Sequence, residues 1–501
     1  TTQSHTIKDY SNQAWAFRAM DDATMRQANP WLYTDPENAN TLPVSVLPVG
    51  GFYRETKYSM DSYDFRGTAS YNDVYGENHI FNFFGGMEIN AVDRQRTWFN
   101  GVGMQYEMGM LPAYEYQYFK QGSEENAQYY TVERTRQREV SFFGTATYSY
   151  QGKYTLNGTL RYEGSNKLGK SRSARWLPTW NLSAAWNAHE EKFWEPLLNY
   201  VSNMTLKASY SLTADRGPAS ASNSRAIIQS YNAWRPFTSI KESGLRVINV
   251  ENKELTYEKK HELNIGAEIG FLNNRINLAV DWYKRNNYDL IGIINTKGTG
   301  GQLTKLANVA SMKSHGIEFT LSTQNIKNKN FSWNTDFIFS NTKNEVTDLQ
   351  SNSSVIEMIS GSGFALEGYP VRSLFSMDFR GLNEGGYPTF INEEGELTVS
   401  NINFQERIKK NHLIYEGPTD PTITGSFGNS FKYKNFLLNL FITYSFGNVI
   451  RLDPVFHNQY SDLDAMPREF INRWTKGGDE KYTDIPVIAD KRANQQDPFL
   501  S

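Results

Sequence analysis

The sequence predicts an all-β chain, the wall of a large antiparallel transmembrane β-barrel. Three observations carry that expectation. Apolar and polar residues alternate with period two in one segment after another, the mark of a strand with one apolar and one wet face. Tight turns and long loops alternate along the chain, as in barrels with short periplasmic turns and longer extracellular loops. The alternating segments mostly reach the roughly 9–11 residues that a tilted strand needs to cross a bilayer, whereas soluble strands cluster near about 5–6.

In chain order, SYDFRGTASYNDVY (62–75) and HIFNFFGGMEIN (79–90) flank Gly76-Glu77-Asn78, and EVSFFGTATYSY (139–150) meets KYTLNGTLRYE (153–163) at Gln151-Gly152. TWNLSAAWN (179–187) and MTLKASYSL (204–212) are joined by HEEKFWEPLLNYVSN, whose apolar spacing predicts a short helix. KKHELNIGAEIGF (259–271) meets RINLAVDWYKR (275–285) across Leu272-Asn273-Asn274, and HGIEFTLSTQN (315–325) meets FSWNTDFIFSN (331–341) through IKNKN. TITGSFGNSFKY (422–433) and FLLNLFITYSF (436–446) close on Lys434-Asn435. These six hairpins predict about twelve strands, fourteen if 368–390 also crosses the membrane. The long connections run over 91–138, 164–178, 213–258, 286–314 and 342–421. Compact soluble domains rarely carry structureless loops beyond about 12–15 residues.

The alternation assigns faces. Ile276, Leu278, Val280 and Trp282 are expected against lipid, with Asn277, Asp281 and Tyr283 toward the interior. Tyr154, Leu156, Gly158, Leu160 and Tyr162 share one face, tyrosine at both ends, about 20 Å apart at ordinary rise and tilt. That spacing suits two aromatic girdles flanking an apolar band. Glu262, Asn264, Glu268, Asn334 and Asp336 lie on opposite faces, where a charge against lipid would be costly, so they are expected in a wet lumen. A large soluble β-protein with solvated polar faces remains open at this point.

Composition narrows function. There is no cysteine, which excludes disulfides and thiolate metal sites. Lys+Arg 51 against Asp+Glu 54 leaves no basic surplus for nucleic acid. Aromatic residues reach 14%, and no apolar run is long enough to cross a bilayer as a helix. The opening TTQSHTIKDYSNQAW lacks the basic-then-apolar order of a secretory leader. Seven histidines (5, 79, 189, 261, 315, 412, 457) show no metal-ligand spacing and are expected to hydrogen-bond in turns, loops or lumen. Gly298, Gly300 and Gly301 in KGTGGQ lack the Lys-Ser end of a phosphate loop and read as a loop tip. The sequons Asn157-Gly158-Thr159 and Asn181-Leu182-Ser183 fall in strands and read as chance matches. Trp98, Tyr114, Tyr116, Tyr118, Trp234 and Phe237 are assigned to long loops, where packing is the plainer role and ligand stacking the alternative. No catalytic, metal, cofactor or substrate-binding residue is assigned, and the chain is not expected to be an enzyme.

Longer stretches resemble the SusC/RagA family of TonB-dependent outer-membrane transporters. RYEGSNKLG (161–169) is similar to that family's Arg-Tyr-Asp-Gly-Ser stretch, with glutamate for aspartate. RWLPTWNLSAAWNAHEEKFW (175–194) and LKASYSLTAD (206–215) follow, with Ser211 where glycine is usual. NKELTYEKKHELNIGAEIGFLNNRINLAVDWYKRNNYDLI (252–291) is the densest match. NVASMKSHGIEFTL (308–321), FSWNTDFIFSNTKNEV (331–346), GYPVRSLFSMDFRGLNEGGYPTF (368–390) and YEGPTDPTITGSFGNSFKYKNFLLNLFITYSFGN (415–448) complete it, with Ala310 for a common glycine.

The resemblance implies a barrel of 22 strands around an N-terminal plug, a SusD-like surface lipoprotein as lid, TonB acting on the plug, and outer-membrane lipid around the wall. Residues 1–501 then read as a portion of the barrel domain, with plug and closing strands not seen. The implied activity is active import of an oligomeric nutrient, glycan or peptide, across a Gram-negative outer membrane. The alternatives are a secreted β-rich protein that binds or cleaves glycans, and a lid-less TonB-dependent receptor for siderophores or vitamins.

Overall fold

The computed structural model describes residues 53–487 except 113–115, 117, 121–128, 170, 218–225, 233–242, 299–302, 361–362, 453–454 and 456–466. Before residue 53 it describes the backbone of 2–10, 32–33, 44–45 and 50–52. Thirteen strands form one antiparallel wall: β1 (Thr2–Tyr10), β2 (Gly50–Tyr75), β3 (His79–Gln105), β4 (Tyr130–Tyr150), β5 (Tyr154–Ser165), β6 (Trp176–Asn187) and β7 (Val201–Asp215). It continues with β8 (Glu258–Phe271), β9 (Ile276–Asn295), β10 (Thr304–Lys327), β11 (Phe331–Leu349), β12 (Ile423–Tyr433) and β13 (Phe436–Phe446). Each strand pairs with its sequence neighbours, an up-and-down meander, and Leu111–Pro112 adds a short pairing on β3.

All six expected hairpins are present, but the strands outrun the membrane. β3 has 27 residues and β10 has 24, so much of the sequence read as loop continues the ladder. The long connections shrink to 106–129, 166–175, 216–257, 296–303 and 350–422. Two further expectations are corrected. HEEKFWEPLLNYVSN forms 3-10 turns (Ala188–Glu190 and Lys192–Leu197), because Pro196 cannot donate to an α-helical ladder. Residues 368–390 do not cross: Ser373–Met377 pairs with Leu413–Pro418, and Phe379–Leu382, Pro388–Ile391 and Leu397–Thr398 form a separate small sheet.

The wall is apolar outside and polar inside. Register places Leu156, Ala184, Ala208, Ile265, Trp282 and Ile317 on one continuous face. Leu156 is 49% exposed and Ile265 49%, and Trp282 and Ile317 are also exposed. So large an uncovered apolar surface has no stable place in water, and it decides between hydrocarbon and a protein core in favour of hydrocarbon. Aromatic girdles bound this face. At the turn end His79 stacks with Tyr148, Phe81 contacts Tyr148, and Trp333 stacks on Phe431. At the loop end Tyr162 stacks on Trp176, and Tyr210 and Tyr288 sandwich His261. Tyr154 and Tyr162 thus mark the two ends, as their spacing predicts.

The dry core lies beyond the loop end. The largest fully buried side chains are Tyr257, Phe375, Leu168, Leu255, Met358 and Val355. They fall into two loop-end units: Leu168, Leu255 and Tyr257 gather where 166–169 meets 251–257, and Phe375 joins Met358 and Val355 in the folded 350–422 connection. There Ser354 caps the helix Val355–Ile359, with Glu357 reaching back to the Ser354 N–H (2.6 Å). His412 is buried in this connection, and neither ring nitrogen has a hydrogen-bond partner among the described residues.

Two measurements test this architecture. Leu182→Arg, opposite Gly158 midway between Tyr154 and Tyr162, places a cation at mid-belt and is expected to lower stability by about 2–4 kcal/mol in urea-driven folding into vesicles, with inward-facing Ser209→Arg costing less. Equal costs would overturn the face assignment. Burial lowers the His412 pKa from the usual 6.5, with Glu393 and Glu406 opposing. As pH falls through about 6.5 the unfolded chain therefore takes up the proton first, and the 350–422 connection loses stability. Amide protection factors across Ser373–Met377, which remove the intrinsic pH dependence of exchange, should fall from pH 7.5 to 5.5 in the wild type and not in His412→Phe.

Candidate functional site

Alternation and register assemble the inward face of β2–β5 into a charged and aromatic patch near the loop end. Across the ladder, Arg66 lies opposite Glu88, Glu88 opposite Ser141, and Ser141 opposite Glu163. One row nearer the turns run Thr68, Gly86, Phe143 and Arg161. Arg161 bridges two carboxylates, Nε to Glu163 Oε2 at 2.8 Å and Nη1 to Glu88 Oε2 at 3.4 Å. Arg216, at the root of the 216–257 connection, reaches back to pair with Glu139 and, at 3.4 Å, with Glu163 Oε1. Asn90 donates to Asp64 beside them. Phe84 and Phe143 lie 5.8 Å apart, with the Arg66 guanidinium 5.3 Å over the Phe143 ring. Gly86 makes this possible: a Cβ there would stand 2.2 Å from the Gly67 carbonyl and 3.1 Å from the Phe143 ring.

Above the patch the loop is fastened. Leu255 accepts from the Gly169 N–H at 2.8 Å, and Asn308 both donates to and accepts from Thr256 at 2.9 Å. Burial and then Glu163 push the Tyr257 hydroxyl up to about 12, so it stays a neutral donor, to the Arg175 carbonyl at 3.4 Å.

Toward the turns the inward face of β3–β6 becomes uncharged, with Asn82, Thr145, Thr147, Asn157, Thr159, Asn181 and Ser183, while on β7 and β8 Lys207 pairs with Glu268 beyond Ser209. Asn157 donates to Thr147 at 2.6 Å, and Thr145 and Thr159 share a 3.2 Å bond. Both sequons lie in this inward strand surface. On β8–β11 the interior carries Glu262 between Lys260 (2.8 Å) and Arg285 (3.1 Å). Arg285 stacks 3.9 Å over Tyr283, whose hydroxyl bonds Thr342 at 2.7 Å. Tyr283 is 3% exposed, so the expected inward residue is buried in the wall itself.

The other sequence-read residues disperse. His79 bonds Tyr148 (2.8 Å) and His189 bonds the Met204 carbonyl (3.1 Å), as expected of turn and loop positions. His261 instead belongs to the outer girdle, and His315 is exposed on the same face. The His5 side chain and His457 lie outside the described residues, as do Gly300, Gly301, Tyr114, Trp234 and Phe237. Trp98 is a strand residue of β3 opposite Thr131, not a loop residue. Tyr118 is buried beside Phe119, and Tyr116 is exposed. Among the described residues no group of three or more His, Cys, Asp and Glu could hold a metal ion. Reading sequence parity one step further would have found Arg161 and Glu163, which alternate with outward Leu160 and Tyr162. Arg216 follows its strand and carries no such signal.

Breaking one partner of a half-buried ion pair costs on the order of 1–2 kcal/mol. Arg216→Met should therefore free the loop root and speed amide exchange at 251–257 by about tenfold. Unchanged exchange would show that Arg216 fastens nothing.

The family model for "TonB dependent receptor-like, beta-barrel" matches residues 3–464. TonB-dependent receptor P3 of Formosa agariphila is 26% identical over 369 residues, 70% of this chain and 36% of that protein. TonB-dependent receptor SusC of Bacteroides thetaiotaomicron is 25% identical over 340 residues, 64% of this chain and 32% of that protein. The solved RagAB peptide transporter superposes with a TM-score of 0.72 at 22% identity, over 88% of this chain and 47% of that one. The chain spans less than half the length of these relatives. Wall, girdles and family match agree with the resemblance read from the sequence, and the chain belongs to the TonB-dependent receptor-like β-barrels of the outer membrane.

Proposed function

We propose that this chain is the wall portion of a TonB-dependent importer that carries a polar oligomer, glycan or peptide, across the outer membrane. In this reading residues 1–501 belong to one barrel domain, completed by further strands and filled by a plug on which TonB acts. A SusD-like surface lipoprotein covers the extracellular end. The observation that carries the proposal is the inverted wall: uncovered apolar residues outside, with paired charges, an aromatic shelf and a hydroxyl–amide surface inside. The charges of the patch nearly balance, Asp64, Glu88, Glu139 and Glu163 against Arg66, Arg161 and Arg216. Such a wall suits a neutral or zwitterionic oligomer, whose hydroxyls and amides exchange hydrogen bonds along it and whose flat faces stack on Phe84 or Phe143. The names of the relatives, SusC and the RagAB peptide transporter, support the same class of activity.

The test is to purify the native complex from membranes and identify co-isolating protein and ligand by mass spectrometry. A stoichiometric lipoprotein and a bound oligomer are expected, and uptake of that oligomer should require TonB. A protein recovered monodisperse from aqueous buffer without detergent would overturn the barrel reading. A detergent-requiring complex without a lipoprotein would instead favour a lid-less receptor.

A further inference from the structure

The outer boundary of the membrane belt changes chemistry along the wall. On β5–β8 it is aromatic: Tyr162 on Trp176, then Trp180 against Tyr210, then Tyr210 stacked on His261. On β9–β11, nearer the belt than the Tyr288 ring, it is basic. Lys284 lies directly opposite His315, and His315 directly opposite Lys343. All three are exposed and share the outward face, one row beyond Trp282 and Ile317 toward the loop end.

Their height is that of the lipid–water boundary. Each residue of a tilted strand climbs about 2.5 Å along the barrel axis. Lys284 stands eight residues beyond Ile276, as Tyr162 stands eight beyond Tyr154, so both lie about 20 Å above the turn-end boundary.

Among the described residues nothing neutralises the row. None of the three makes an ion pair or a side-chain hydrogen bond among the described residues. The nearest outward carboxylate on this edge, Glu345, is occupied by Lys313 at 3.0 Å. The two ammonium groups flank the histidine two strands, about 10 Å, apart and share no counter-charge among the described residues. A row of this kind, placed where headgroups begin, calls for an anion from outside the chain.

We propose that Lys284, His315 and Lys343 form a binding site for the phosphorylated headgroup of an outer-leaflet glycolipid, whose acyl chains lie down the apolar face below. The two ammonium groups pair with phosphate oxygens, and the imidazole between them donates an N–H. Trp282, Ile317 and Phe319 form the surface beneath, in the next two rows of the same face. The site is lateral to the transport path, so it anchors and orients the wall in an asymmetric membrane and takes no part in substrate choice.

The experiment is native mass spectrometry of the full-length protein in detergent, titrated with bis-phosphorylated lipid A and with the same lipid stripped of its phosphates. The wild type is expected to bind the phosphorylated form more tightly. A lysine beside an anionic headgroup contributes about fivefold, so the variant K284Q/H315Q/K343Q should bind it about 30-fold or more weakly. Lys313→Gln, which removes an already paired cation, should bind as the wild type does. Equal affinity of the wild type for the two lipids would overturn the proposal whether or not the triple variant folds. So would a triple variant that shows folded-barrel mobility on unheated gels and keeps wild-type affinity. An equal loss in Lys313→Gln would reduce the effect to overall charge and overturn the site as well.

Discussion

Everything in this wall depends on one constraint: hydrocarbon offers no partner to a backbone N–H or C=O. A chain lying in it must satisfy those groups within its own ladder. From β2 to β13 each strand meets its neighbour in antiparallel register, broken only by a few bulges. Once the backbone is satisfied laterally, the two side-chain faces become independent. The outer face can be apolar without a partner, because lipid is its solvent. The inner face can hold carboxylates and guanidinium groups without lipid ever touching them. A soluble sandwich would need a dry interior behind the strands. Here the dry interiors sit beyond the membrane, around Tyr257 and around Phe375.

The inner face is graded. Its loop end carries arginines shared between carboxylates, and its middle carries hydroxyls and amides bonded to one another. Paired charges hold their side chains in place and present a nearly neutral surface. Unpaired charges at the same positions would trap an oppositely charged solute. A surface of hydroxyls and amides bonded to one another offers many partners of similar strength along its length. The Arg216 pairing ties this surface to the connection above it, so the wall and the loop root form one electrostatic unit.

How much of this was legible in the sequence follows from where water is. Inside the membrane only one face of each strand is wet, so period two is strong and the six hairpins and their faces could be read directly. Beyond the membrane both faces are wet and the pattern fades. The extension of β3 through RQRTWFNGVGMQ therefore looked like loop although all of it but Gly103 and Gln105 pairs with β2 or β4. The 350–422 connection escaped for a different reason. Its strands are short and its core residues, Val355, Met358 and Phe375, are too few and too scattered to set a period. The inward patch was half legible: Arg161 and Glu163 by parity, Arg216 and the Phe84–Phe143 shelf only through contacts between distant segments.

Register is what turns parity into a site, and the tight turns set the register. A slip of one residue would exchange the faces of a whole strand. The β4–β5 turn prevents it with two left-handed residues, Gln151 (φ 55°) and Gly152 (φ 72°), closed by the Lys153 N–H donating to Tyr150 at 3.0 Å. That geometry places Tyr154 opposite Tyr150, and counting along the ladder then brings Arg161 opposite Phe143 and Glu163 opposite Ser141. The β8–β9 turn uses three left-handed residues, Leu272, Asn273 and Asn274, and fixes Trp282 opposite Ile265 in the same way. Left-handed backbone is unfavourable for leucine, so its persistence here measures how firmly the flanking ladder holds the turn. The charged patch at the loop end is thus positioned by turns at the far end of the wall, about nine residues away along each strand.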